Sequence, residues 1–277
     1  MARPLPVPNR PSPRGNAAHP ELMAIEKETH GRVVLLRLAH GKANAFDAVF
    51  SKALVAALDA ATAARDVAAV VVTGAPGGKI FSAGVDLLQV LDGGDAYLAE
   101  FLPALRSALE KLFFFEKPLV AAVNGHAIAG GCLLAAAADR RLMAAGDARI
   151  GVPERLVGVP FPAIALEILR FTVPAGRLQE VAYLGKTYLP DEAAARGLVD
   201  EVAPPETLLS RAIAAAEQLA AAPGPAFTLT KRQLRAPARD FLAARAAAID
   251  AEVFAAWKSA EAREAIRAYV EKTLKRR

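Results

Sequence analysis

Hydrophobic positions in this chain fall first into short runs bounded by turn residues, and later into helical spacing. Ile25–Thr29 and Val33–Leu38 predict two strands around a turn at His30-Gly31. Asp47 is placed to cap a helix through Ala64, with Phe50, Leu54, Ala57, Leu58 and Ala61 on one face. Ala68–Thr73 and Leu119–Val123 are continuous apolar runs, the pattern of strands buried on both faces. Between them the spacing predicts a helix over Asp95–Phe115. A helix over Gly130–Ala138 and a strand at Arg141–Ala144 follow. After Pro160 the pattern is almost wholly helical, over 162–170, 174–183, 190–195, 205–221, 225–235, 238–257 and 259–274. The fold class is therefore α/β, with a core over 23–203 and a helical section over 204–277.

Residues 1–22 carry Pro4, Pro6, Pro8, Pro11, Pro13 and Pro20 with almost no acid, which predicts a disordered or loosely attached tail. Met23, at its end, is a candidate start of the folded domain.

Composition narrows the function classes. The chain has 277 residues, 54% of them apolar and 23% charged, a globular balance for one large domain with an appendage. No apolar run reaches the roughly 18 residues needed to span a bilayer. A single cysteine forms no internal disulfide, and the start lacks the pattern of a secretory signal, so a cytoplasmic protein is expected. The net charge is +5, but the basic residues are scattered and only Lys275-Arg276-Arg277 is dense. With aromatics at 6%, this argues against nucleic acid as a partner.

Familiar templates fail. The loop 74-GAPGGKI-80 has only three residues between Gly74 and Gly78, and isoleucine follows its lysine, so it is no P-loop. The four histidines and one cysteine lack ligand spacing, and no metal site is expected. A G-x-S-x-G elbow is absent.

Two other segments fit together: 81-FSAGVDL-87 and 124-NGHAIAGGCLLAAAAD-139. Each puts small residues where the chain turns from a strand towards a helix. Such turns either permit close helix–sheet packing or expose backbone N–H groups able to hold an anionic oxygen.

In this order and about forty residues apart, the two strings resemble the enoyl-CoA hydratase/isomerase family, also called the crotonase superfamily. The strings 42-KANAF-46, 150-IGVPERLVGV-159 and 185-GKTYLPDEAAARGLVDEV-202 extend the resemblance from about Met23 to the C-terminus. It implies a spiral of ββα units whose C-terminal helices build a homotrimer or a dimer of trimers. It also implies acyl-CoA thioester substrates carried through an enolate, with no cofactor beyond the substrate's own coenzyme A.

Carried over by position, the resemblance makes the N–H groups of Val85 and Gly130 the oxyanion donors. Asp86 and Asn124 hold the two turns. Lys42, Ala43 and Ala45 lie on one side of the coenzyme A site, and Ala83, Asp86 and Leu87 on the other. Hydratases of the family use two glutamates; here the first position is Leu133 and the second is Glu154. One base suffices for a 1,3-proton shift, so a Δ3,Δ2-enoyl-CoA isomerase is expected, with Glu154 carrying the proton. A hydratase would need a replacement carboxylate, from Glu116 or the 86–100 loop. A non-catalytic coenzyme A or RNA binder on the same fold is the remaining alternative. Phe161 and Pro162, in 159-VPFPA-163, depart from the family's usual glycines and are expected to reshape the acyl pocket. Cys132 and His126 are expected to be structural.

Overall fold

In the computed structural model, residues 24–223 and 225–274 are described; the proline-rich tail, Met23 and the basic end lie outside them. The chain winds as strand–strand–helix units. It opens with β1 (Ile25–His30), β2 (Val33–Leu38) and α1 (Ala48–Ala63). The next three units are β3 (Ala69–Thr73), β4 (Ile80–Ser82) and α2 (Leu87–Phe113), then β5 (Leu119–Val123), β6 (His126–Ile128) and α3 (Gly130–Ala136), then β7 (Arg140–Ala144), β8 (Ile150–Gly151) and α4 (Glu154–Val157). The chain continues through α5 (Ala163–Thr172), α6 (Ala175–Leu184), β9 (Thr187–Tyr188), α7 (Pro190–Ala194), β10 (Glu201–Ala203) and α8 (Leu208–Ala220). It ends in α9 (Ala226–Trp257) and α10 (Ala260–Leu274).

Both strands of the first unit lie in a six-stranded sheet of order β1-β2-β3-β5-β7-β10, parallel except for β1, and in each later unit the first strand enters it. The second enters a smaller sheet of order β4-β6-β8-β9. Alternation along the large sheet divides its side chains. Leu35, Val71, Val120 and Leu142 face α8, while Leu36, Val72, Ala121 and Met143 enter the main core.

Several elements differ from the sequence reading, α4 and β10 among them. The smaller sheet was not foreseen, because its strands are two or three residues long and carry no period. Helix α2 begins at Leu87, since the Asp86 side chain accepts from the N–H groups of Leu88 and Gln89, both at 3.1 Å. Gly94, at φ 57°, kinks it, so spacing alone revealed only the part after the kink. The segments 225–235 and 238–257 are one helix, although Pro237 removes a helical hydrogen bond.

Continuity through Pro237 rests on tertiary anchors. Before it, Lys231 and Arg235 are buried against Asp139; after it, Ala238, Leu242 and Ala246 enter the core. Asp139 Oδ2 accepts from Lys231 Nζ at 2.6 Å and from the Leu119 N–H at 2.8 Å, and Oδ1 from Arg235 Nη2 at 2.8 Å. Arg235 also donates to the Phe113 carbonyl, and Lys231 to that of Lys117 at 3.1 Å. Burial draws the Lys231 pKa down to about 8. Every charge in this cluster has a partner, and α9 is thereby tied to the start of β5.

Removing the shared acceptor would leave two cations buried together. Asp139→Ala is expected to cost about 3–5 kcal/mol of stability, read from urea unfolding. A loss below about 1 kcal/mol would mean that apolar packing alone holds α9.

Candidate active site

The two small-residue turns meet between the sheets. Gly84, at φ 82°, lies so close to the second turn that a Cβ there would come within 2.5 Å of the Ile128 carbonyl oxygen and 2.7 Å of Ala129 Cβ. A Cβ at Gly131 would collide with the Ser82 carbonyl oxygen. Glycine therefore serves close backbone approach here.

A hydrogen-bond ladder holds the first turn. Phe46 and Val85 form an isolated parallel bridge, in which Phe46 N–H donates to the Gly84 carbonyl at 2.7 Å and Asp86 N–H to the Phe46 carbonyl at 2.9 Å. Residues 84 and 86 thus face Phe46, and the Val85 N–H faces the other way. Ala83 N–H adds a bond to the Ala43 carbonyl at 2.9 Å. In the second turn Ala129 takes φ 53°, an uncommon conformation for alanine, with its N–H bonded to the Gly151 carbonyl at 2.8 Å. Gly130 follows as the first residue of α3, where no preceding turn can accept from its N–H. Among the described residues, neither the Val85 nor the Gly130 N–H has an acceptor.

Val85 and Gly130 both line an open, mostly apolar cavity. Ala83, Val85, Leu87, Gly130, Leu133 and Glu154, all singled out from sequence, line it together. Glu154 is the only carboxylate on its wall among the described residues. It is 8% exposed, and its Oε2 has no hydrogen-bond partner among the described residues. Burial away from any cation pushes its carboxyl from the ordinary 4.5 up to about 8. Leu133 is buried with only 3% exposure and offers no polar atom to a water molecule.

The other expected residues stand outside the cavity. Lys42, Ala43 and Ala45 form the loop that runs beside Ala83; Lys42 is exposed. Asp86 is occupied as the α2 cap, and its Oδ2 accepts from Gln89 Nε2 at 3.1 Å. Phe161 packs on the core, while its neighbours Pro160 and Pro162 form the wall. Asn124 holds its turn by accepting from the Gly74 N–H at 3.0 Å and donating to the Ala75 carbonyl at 2.9 Å. His126 Nδ1 accepts from the Arg149 N–H at 3.0 Å, and Cys132 is buried with its thiol pKa raised by desolvation. Both are built into the fold.

Sequence reasoning missed two groups. Trp257 and Tyr269 enter the cavity from the chain's own C-terminal helices, which fold back so that α10 packs on α4 and α2. Gly158 permits this, since a Cβ there would meet Ala265 Cβ at 2.6 Å. Asn44, buried at φ 46°, ties the loop over 40–46 to β4. Its Nδ2 donates to the Phe81 carbonyl at 3.0 Å, its Oδ1 accepts from His40 N–H at 2.8 Å, and its carbonyl accepts from Ser82 Oγ at 2.7 Å. Asparagine inside 42-KANAF-46 was the available signal, because it tolerates the left-handed region better than most residues.

Comparison with known proteins agrees with this geometry. A sequence profile described as enoyl-CoA hydratase/isomerase matches residues 28–276. A probable enoyl-CoA hydratase of Rhizobium meliloti is 38% identical over 207 residues, covering 74% of this chain and 78% of its own. Mitochondrial enoyl-CoA delta isomerase 1 of Rattus norvegicus is 29% identical over 219 residues, 79% of this chain and 75% of its own. The crystal structure of human mitochondrial Δ3-Δ2-enoyl-CoA isomerase superposes with a TM-score of 0.85 at 27% identity, over 92% of this chain and 99% of that one. With a profile match over most of its length and a fold that superposes throughout, this chain belongs to the enoyl-CoA hydratase/isomerase family.

Proposed function

We propose that the protein moves the double bond of a 3-enoyl-CoA thioester to the 2-position, with Glu154 as its single proton carrier. The observation that carries this reading is that, among the described residues, one carboxylate shares an apolar cavity with Leu133 and with Val85 and Gly130, whose N–H groups lack acceptors. The ionised Glu154 takes a proton from C2. The electron pair moves onto the thioester oxygen, where the N–H groups of Val85 and Gly130 receive the negative charge. The same carboxyl then returns the proton to C4, the C3–C4 double bond is consumed and a C2–C3 double bond forms. No cofactor enters this balance.

Hydration makes a different demand, since one group must activate water while another protonates carbon. Of the acids considered as replacements, Glu116 is exposed and pairs with Arg232 at 3.2 Å, Asp86 caps α2, Asp92 is exposed, Asp95 pairs with Lys258 and Arg263, and Glu100 with Lys52. None of them borders the cavity.

Glu154 must be ionised to begin the cycle, and its pKa is about 8. With a trans-3-enoyl-CoA, kcat/KM is expected to rise about tenfold per pH unit below 8 and level off above it. Glu154→Gln is expected to lose at least about a hundredfold in rate, and crotonyl-CoA to gain little water. Both are followed by enoyl-thioester absorbance, and rapid hydration of crotonyl-CoA would contradict the reading.

The same shift has a stability consequence. The folded pKa lies above the unfolded one, so the folded chain holds this proton between pH 4.5 and 8 after the unfolded chain has released it. Stability from this group therefore falls as pH rises through that window, by at most about 5 kcal/mol. Glu154→Gln is expected to raise the melting temperature at pH 8.5 and leave it unchanged at pH 4. Equal shifts at both pH values would show that Glu154 is not raised by burial.

A further inference from the structure

Beyond the catalytic cavity lies a second, open groove between α2 and α9, whose apolar lining includes Leu102, Pro103, Val253 and Phe254. Pro162 borders both spaces. The two helices that line the cavity continue directly into the groove. On α2, Leu109 and Leu105 face the cavity, and Leu102, one turn back, faces the groove. On α9, Trp257 faces the cavity and Val253, four residues earlier, faces the groove.

Two charged side chains, Arg106 and Asp250, line this groove as well. Asp250 on α9 accepts from the Ala163 N–H at 2.9 Å and pairs with Arg106 of α2 at 3.2 Å, fastening α9, α5 and α2 around it. The partition is the 160–162 segment. Its two prolines have no N–H to present, and the Pro160 carbonyl is taken by Trp257 Nε1 at 3.3 Å. A chain of methylenes passing Pro162 would therefore meet little polar backbone on its way.

We propose that the α2–α9 groove receives the terminal methylenes of a long-chain acyl group whose thioester lies in the catalytic cavity. This rests on the acyl-CoA reading above and adds the substrate's length to it. Had the chain emerged into water, further methylenes would contribute nothing; in the groove each one withdrawn from water adds roughly fourfold in affinity.

The test is equilibrium binding of saturated hexanoyl-, decanoyl- and hexadecanoyl-CoA to the full chain, measured by calorimetry. Affinity is expected to keep rising from decanoyl to hexadecanoyl, by at least about tenfold. Val253→Trp, which fills the groove, is expected to abolish that gain, as is Leu102→Trp from the opposite wall should the first variant fold poorly. Equal affinity for the two longer thioesters, or variants that weaken all three alike, would overturn the proposal. So would a variant that changes subunit assembly while the length dependence persists, since the groove would then be covered by a second copy. Saturated thioesters undergo no isomerisation: length-dependent binding without turnover of any 3-enoyl-CoA would overturn the isomerase reading and leave this one standing. Failure to bind any acyl-CoA would overturn both.

Discussion

The architecture depends on two backbone turns approaching so closely that no side chain fits between them. Gly84 lies against Ile128 and Ala129, Gly130 against Phe46, and Gly131 against Ser82. Ridges of ordinary side chains would hold these segments apart and separate the Val85 and Gly130 N–H groups. The smaller sheet exists to make this approach. Its strands β4, β6 and β8 lift the chain out of the large sheet once per unit, and β4 and β6 pair in parallel, so that each delivers its turn beside the other. Helix α10 then covers the site from the far end of the sequence. A fold that looks like repetitive winding thus converges on a pair of amides a few atoms wide.

Two carboxylates in this molecule, the half-buried Asp139 and the buried Glu154, have opposite surroundings. Asp139 is surrounded by Lys231, Arg235 and a backbone N–H, and its charge fastens a helix to a sheet. Glu154 has no cation beside it and one oxygen without a hydrogen bond, so burial opposes its charge. An unpaired buried acid destabilises the fold and is also a stronger base once ionised. The surrounding apolar wall, including Trp257 and Leu133, maintains that state by excluding compensating polar groups.

Much of this was legible from residues alone, for identifiable reasons. Val70–Val72 and Leu119–Val123 read as buried strands because both faces of the large sheet are covered. The two small-residue turns stood out because several glycines fall at fixed offsets, and Glu154 because its string carries the only acid. The smaller sheet did not, since two- and three-residue strands hold no periodicity. Pro237 read as a break because local chemistry disfavours a helix there, while the opposing terms come from Asp139, ninety-six residues from Arg235. Trp257 and Tyr269 were silent for the same reason: nothing local says that the last helices return to the cavity.

That a single carboxyl in an apolar cavity moves the proton is tested most directly by isotopic labelling. A 3-enoyl-CoA carrying deuterium at C2 would be converted in ordinary water and the product examined by NMR. Glu154 acting alone, shielded from solvent, predicts that a substantial fraction of the label appears at C4. Complete loss of the label to water accompanied by hydroxyl at C3 would contradict that account and point to a second, solvent-linked carboxylate.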